Sequence, residues 1–251
     1  MPAGARHQST REKLAGAAFF FDGVRLGKWL GVSLSLGLLS AMVLTASELN
    51  VFPERTFSPY DFLQNFFVYT ACTLTALIFA EKVSLETFLL ATRKSWLRKA
   101  GLLLGYGALT GVAMGLAYHG AFGAYRFSPR VPFRVQQMKT NYDNFILSLS
   151  AAITEEVVFR LLLFTGFFYV LDRLFRPLMS VNPGLSRPIP LLFSLVLSSL
   201  LFGAVHGAYG FLFAFVAGIA LCLIFLRGGL ESAIFAHFLT DVVFFRLTYL
   251  S

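Results

Sequence analysis

Residues 151–164 read AAITEEVVFRLLLF, an apolar run interrupted by Glu155, Glu156 and Arg160. The run extends over about 144–171, longer than the roughly 20 mostly apolar residues that cross a bilayer. Ionisable groups are expensive in hydrocarbon, so charges in such a run mark function by default. Two more polar clusters interrupt later apolar runs, Phe202-x-x-x-His206 and His237-x-x-x-Asp241. An open sheet cannot satisfy its backbone in lipid, so the reading is all-α, a polytopic integral membrane protein.

Working outward, further apolar runs lie near 27–46, 62–80, 101–124, 189–208, 211–226 and 230–249. Together they predict about seven transmembrane helices enclosing an intramembrane polar site. Residues 1–25 read as a basic N-terminal tail and 26–251 as one helical membrane domain. The tail holds a short aromatic patch, Phe19-Phe20-Phe21, but no small-residue cleavage site after an apolar core, so a removed signal peptide is not expected. The amphipathic stretch 83–96 is read as interfacial or as a helix extension, and 125–143 and 172–188 as connections.

Of the 251 residues, 57% are hydrophobic and 14% charged, and 29 are Phe; mean hydropathy is +0.70. Ordinary soluble domains carry about 25% charged residues. The net charge of +8 raises the question of nucleic acid, but the basic residues lie between the apolar runs, which fits juxtamembrane anchoring instead. The expected partners are membrane lipid and a membrane-associated protein or peptide, with no nucleic acid. Cys72 and Cys222 both fall inside apolar runs, which fits small buried residues rather than a disulfide framework or a Cys-x-x-Cys metal motif.

With seven spans, fourteen Lys and Arg fall on the side of the N-terminus and six on the other. That bias predicts a cytoplasmic N-terminus, although the basic 125–143 segment runs against the pattern; the expected location is the plasma (inner) membrane of a prokaryote. The run 101–124 carries Gly101, Gly105, Gly107, Gly111, Gly115, Gly120 and Gly123. Their small-x-x-x-small spacings predict close helix packing, with a substrate groove as the alternative.

On a helix Glu156 and Arg160 share a face and form an ion pair, while Glu155, turned by roughly 100°, stays available for chemistry. A buried network that only ties helices together is the structural alternative. His206 precedes Gly207, and Phe202, one turn earlier, could wall it from water. His237 and Asp241 form a second i,i+4 pair, in which Asp241 fixes the imidazole tautomer or both face a metal or substrate. Each cluster alone has a plain packing explanation. Counting from the ends of the runs at about 1.5 Å per residue places Glu155, His206 and His237 in one layer, from the midplane towards the non-cytoplasmic face.

The three motifs in this order resemble the CAAX protease and bacteriocin-processing (CPBP, or Abi) family of intramembrane endopeptidases, which includes the type II CAAX prenyl proteases. The family pattern is Glu-Glu-x-x-x-Arg, then Phe-x-x-x-His, then His-x-x-x-Asn or Asp. The stretch Phe225-Leu226-Arg227-Gly228-Gly229-Leu230 before Ala236-His237 also looks like the family's approach to its last motif. The resemblance covers about 140–250. It implies that Glu155 and His206 activate the attacking water and that Glu156, paired with Arg160, holds Glu155 in place. His237 and Asp241 would polarise the scissile carbonyl. Asp stands at 241 instead of the Asn of the eukaryotic prenyl-protein branch. An ionised Asp cannot donate to an oxyanion, so Asp241 is expected to orient His237 or bind a metal.

The soluble His-Glu-x-x-His signature is absent. Zinc is the candidate cofactor, held by Glu155, His206, His237 and perhaps Asp241. The favoured alternative is metal-free, with Glu155 as general base and His206 placing the water. The expected reaction is hydrolysis of a peptide bond in a membrane-associated substrate: CAAX-type trimming, or the C-terminal sorting and peptide maturation that other family members perform. A non-cytoplasmic site would suit sorting better than trimming. A non-proteolytic scaffold or immunity protein and a small transporter or proton relay are the alternatives, though no inverted repeat of the transporter kind is visible.

Overall fold

Helix caps and glycine breaks in the sequence set where each helix begins and ends. The computed structural model describes residues 23–52, 55–85, 87, 96–125, 140–178, 184 and 186–249. The basic tail up to residue 22, most of the 83–96 stretch and residues 126–139 lie outside the described residues. α1 is Gly23–Val51 and α2 is Pro59–Lys82. α3 comprises Trp96–Gly101, a π-helical stretch Leu102–Leu109, and Thr110–Tyr125; α4 comprises Asn141–Glu156, a π-helical stretch Val157–Phe164, and Thr165–Leu178. α5 is Pro188–Val205 and α6 is Gly207–Tyr249. No strand occurs among the described residues.

α2 starts with Ser58 accepting a bond from the Asp61 N–H at 3.2 Å and with Pro59 in its first turn, where a missing N–H costs nothing. α4 starts with a reciprocal box between Thr140 and Asp143, which satisfies two N–H groups that no helical carbonyl reaches. α6 is two helices joined at Gly229, whose φ of 75° and ψ of −178° are essentially glycine-only. The freed Leu230 N–H donates to the Thr87 carbonyl at 2.7 Å, so the break leaves no unpaired donor there. This break separates the two runs read from the sequence at 211–226 and 230–249.

Five helices among the described residues are long and apolar enough to cross a membrane: Leu26–Asn50, Pro59–Lys82, Leu97–Ala121, Pro188–Val205 and Gly210–Tyr249. The difference from seven has two physical sources. Gly210–Tyr249 contains the Gly229 break, and α4 carries Asp143, Glu155, Glu156 and Arg160 within its length. The connection expected at 172–188 is shorter than predicted. α4 continues to Leu178, and its last turns contain an Asp172–Arg176 pair at 2.5 Å with i,i+4 spacing.

The bundle has two distinct ends. At the first, Arg187 donates to the Val83 and Ser84 carbonyls after α2 (3.3 and 3.4 Å), and Phe175 of α4 stacks on Phe193 of α5. At the second, Asn50 of α1 donates to Asp143 of α4 at 2.6 Å. His119 of α3 lies 3.2 Å from the Thr248 hydroxyl of α6, and Phe245 and Tyr249 pack on Leu147.

Part of the glycine stripe makes the seam between α3 and the second arm of α6. A Cβ at Gly111 would come within 2.4 Å of the Ala236 carbonyl oxygen, and one at Gly115 within 2.8 Å of the Thr240 carbonyl oxygen. The Thr240 hydroxyl donates to the Gly111 carbonyl across this contact at 3.1 Å. Gly101, Gly105 and Gly120 have nothing within 4 Å of such a Cβ. The close-packing reading therefore holds for Gly111 and Gly115, and less severely for Gly107, where a Cβ would lie 3.3 Å from Phe235 and from the Ser232 carbonyl oxygen. The seam fixes the arm that carries His237 and Asp241.

Candidate active site

Glu155 and Glu156 are the last two residues before the π-helical stretch of α4. Single π turns often accompany functional positions because they shift the phase of the side chains. Adjacent helical positions point in different directions, and here the two carboxylates meet opposite nitrogens of one imidazole. Glu156 Oε1 lies 2.8 Å from His237 Nδ1. A carboxylate accepts, so His237 Nδ1 carries the proton in this bond. Its Nε2 lies 3.9 Å from Glu155 Oε2 and 3.5 Å from Asp241 Oδ2.

His206 is held by the end of α5. It is the residue at which the helix stops, with φ −86° and ψ 1°, followed by Gly207 at φ +71°, a position that favours glycine. His206 Nδ1 lies 2.7 Å from the Phe202 carbonyl. The carbonyl can only accept, so the ring donates from Nδ1 and, when neutral, presents a lone pair at Nε2. That Nε2 lies 3.9 Å from Glu155 Oε2. One carboxylate oxygen is thus equidistant from two imidazole nitrogens on different helices. It is itself buried and has no hydrogen-bond partner, although the Glu155 side chain as a whole is 31% exposed.

Arg160 forms the floor. Its Nε lies 3.2 Å from Glu156 Oε2, with both side chains essentially buried, and its guanidinium sits 4.1 Å from the centre of the Phe202 ring. That ring packs on His206 at 4.6 Å and meets His237 edge-on at 5.8 Å. Phe202 therefore touches the cation and both imidazoles.

All seven residues singled out from the sequence come together: Glu155, Glu156, Arg160, Phe202, His206, His237 and Asp241. The sequence reading did not assign the two nitrogens of His237. The residue bonded to His237 Nδ1 is Glu156, while Asp241 faces Nε2. Periodicity ties Glu156 to Arg160 on its own helix, but only the packing of α4 against α6 brings it to His237. Thr240 escaped the sequence reading altogether. Its hydroxyl locks α6 to α3 one residue before Asp241, and a lone Thr in an apolar run gives no signal of that.

Glu155, His206, His237 and Asp241 have the donor chemistry that zinc takes. As placed, no group of three or more His, Cys, Asp or Glu among the described residues is gathered closely enough to hold a metal ion.

Residues 140–243 match the model of the Rce1-like family, described as type II CAAX prenyl endopeptidase Rce1-like. The matched stretch contains all three motifs and is the part of the chain whose sequence resembles that family. Comparison with curated proteins and with solved structures gives no match.

Proposed function

We propose that the chain is an intramembrane endopeptidase that cleaves a peptide bond of a membrane-associated protein or peptide, using water activated by Glu155 and His206. The observation that carries this reading is the unpartnered Glu155 oxygen, 3.9 Å from each of two imidazole nitrogens. Contacts of that length between polar groups leave room for a shared small ligand such as water. The family match over 140–243 supports peptide hydrolysis as the chemistry.

In the proposed reaction a water donates one proton to the Glu155 carboxylate, and the lone pair of His206 Nε2 accepts its other hydrogen as a bond and orients it. The water oxygen attacks the scissile carbonyl carbon. His237, doubly protonated, donates from Nε2 to the resulting oxyanion, and Glu156 balances its charge through Nδ1. Asp241, 3.5 Å from that Nε2, accepts its hydrogen before the oxyanion forms and so orients the ring. Collapse breaks the C–N bond, and Glu155 returns its proton to the leaving amine. The products are one carboxylate and one amine, so water has added across the peptide bond.

Purified protein in detergent or liposomes should cleave a labelled membrane peptide and leave two fragments. His206→Ala should lose the activity by orders of magnitude while remaining folded. A preparation that is folded and cleaves no membrane peptide would leave a non-proteolytic role as the better reading.

A further inference from the structure

The two imidazoles that flank Glu155 belong to different halves of the bundle. His206 ends α5, which turns through Gly207 into the first arm of α6, residues 207–228. The two pack tightly, since a Cβ at Gly218 of that arm would come within 3.0 Å of the Ser199 Cα of α5. His237 and Asp241 belong to the second arm, beyond the Gly229 break, which the glycine seam holds to α3. The 3.9 Å spacing of each Nε2 from Glu155 Oε2 is therefore set by how the hairpin bearing His206 sits against α3 and the second arm.

Tyr118 of α3 joins these halves. It lies one turn beyond Gly115, whose added Cβ would meet Thr240 and Val243 at 2.8 Å, so this stretch of α3 is fixed to the second arm. The Tyr118 hydroxyl donates to the Phe213 carbonyl of the first arm at 2.9 Å. Its ring meets Phe213 edge-on at 5.7 Å and Phe244 of the second arm edge-on at 6.4 Å. Phe244 is one turn beyond Asp241, and the charges of Asp241 and Arg160 both act on the phenol, so the contact stands beside the site. Ring packing alone would be served equally well by Phe. The hydroxyl adds a directional tie, and within a membrane no water competes for it. We infer that Tyr118 is a positioning residue, whose hydroxyl ties the hairpin bearing His206 to the arm bearing His237 and so sets the spacing of the two imidazoles around Glu155. This rests on the peptidase reading, in which one water must reach Glu155 and His206 while it attacks a carbonyl that His237 polarises. A changed spacing lengthens one of those approaches and slows the chemistry without weakening the hold on the peptide.

Tyr118→Phe removes the hydroxyl and keeps the ring. With a labelled membrane peptide, the purified variant should lose about tenfold or more in kcat at unchanged KM, with its melting temperature nearly unchanged. A second readout needs no turnover. The imidazole ¹⁵N resonances of His206 and His237, assigned by substituting each histidine in turn, are followed through a pH titration. Both imidazoles face Glu155, so at least one titration midpoint should move in Tyr118→Phe. An unchanged kcat, or midpoints identical to those of the unmodified protein, overturns the inference. A lower melting temperature with kcat and both midpoints unchanged makes Tyr118 a packing residue and overturns it as well. Moved midpoints in a protein whose unmodified form cleaves no membrane peptide sink the peptidase reading and leave Tyr118 standing as the tie between the two halves.

Discussion

The two nitrogens of His237 face different carboxylates, and the difference separates positioning from chemistry. Nδ1 is taken by Glu156, whose other oxygen meets Arg160; Nε2 faces Glu155 and Asp241. Removing Arg160 would leave Glu156 buried beside one imidazole only. Losing one partner of a buried pair costs about 3–5 kcal/mol, so Arg160→Ala should lower both folded yield and activity, measured by size-exclusion recovery and peptide cleavage. Normal yield with normal turnover would contradict its place as the floor of the site. Asp241→Asn should behave differently. An Asn at 241 keeps a polar group beside Nε2 and adds a donor near the oxyanion, so substantial activity and normal yield are expected. Loss of activity in Asp241→Asn, restored by added zinc, would point to a carboxylate that ligates metal. Six of the seven site residues were visible in the sequence because charges and histidines stand out against hydrocarbon; Phe202, one of 29 Phe, was legible only by its place one turn before His206. The bond between Glu156 and His237 was not, because it spans residues 81 apart in sequence and depends on how two helices pack.

At the scale of elements, the arm bearing His237 is aligned by contacts that admit no side chain. Gly111→Leu would drive carbon into the Ala236 backbone, and overpacking of this kind typically costs 1–3 kcal/mol or more. Gly111→Leu should therefore reduce thermal stability and shift His237, whereas Gly105→Leu, at a position with open space, should leave stability nearly unchanged. Equal melting temperatures for the two variants would remove the seam. Gly229→Ala places a Cβ on a glycine-only conformation at a cost of about 1–3 kcal/mol and should also destabilise. Small-x-x-x-small spacing revealed the stripe but could not say which glycines pack, since that depends on the neighbour's register. The Gly229 break was legible only as a gap between two apolar runs. The extension of α4 to Leu178 was missed because Pro177 and three charges read as a loop, whereas the i,i+4 Asp172–Arg176 pair supports one more turn.

Across the whole molecule, the helical membrane architecture follows from composition, and the polar site from three motifs that the bundle brings to one place. Val157, Leu161, Phe164, Leu221 and Phe225 are buried, yet they are ordinary apolar residues, indistinguishable in sequence from those facing lipid. Which apolar residues are buried is a property of packing alone. The central claim is that Glu155 is the base, poised without a partner between two histidines. The most direct test is the rate at which purified protein cleaves a labelled membrane peptide, compared with Glu155→Gln at matched thermal stability. Gln keeps the shape and removes the proton acceptor. A positioned acid–base group contributes about 100- to 10,000-fold, so Glu155→Gln should fall by that range with its melting temperature unchanged; turnover within a few-fold of the unmodified protein would contradict the assignment.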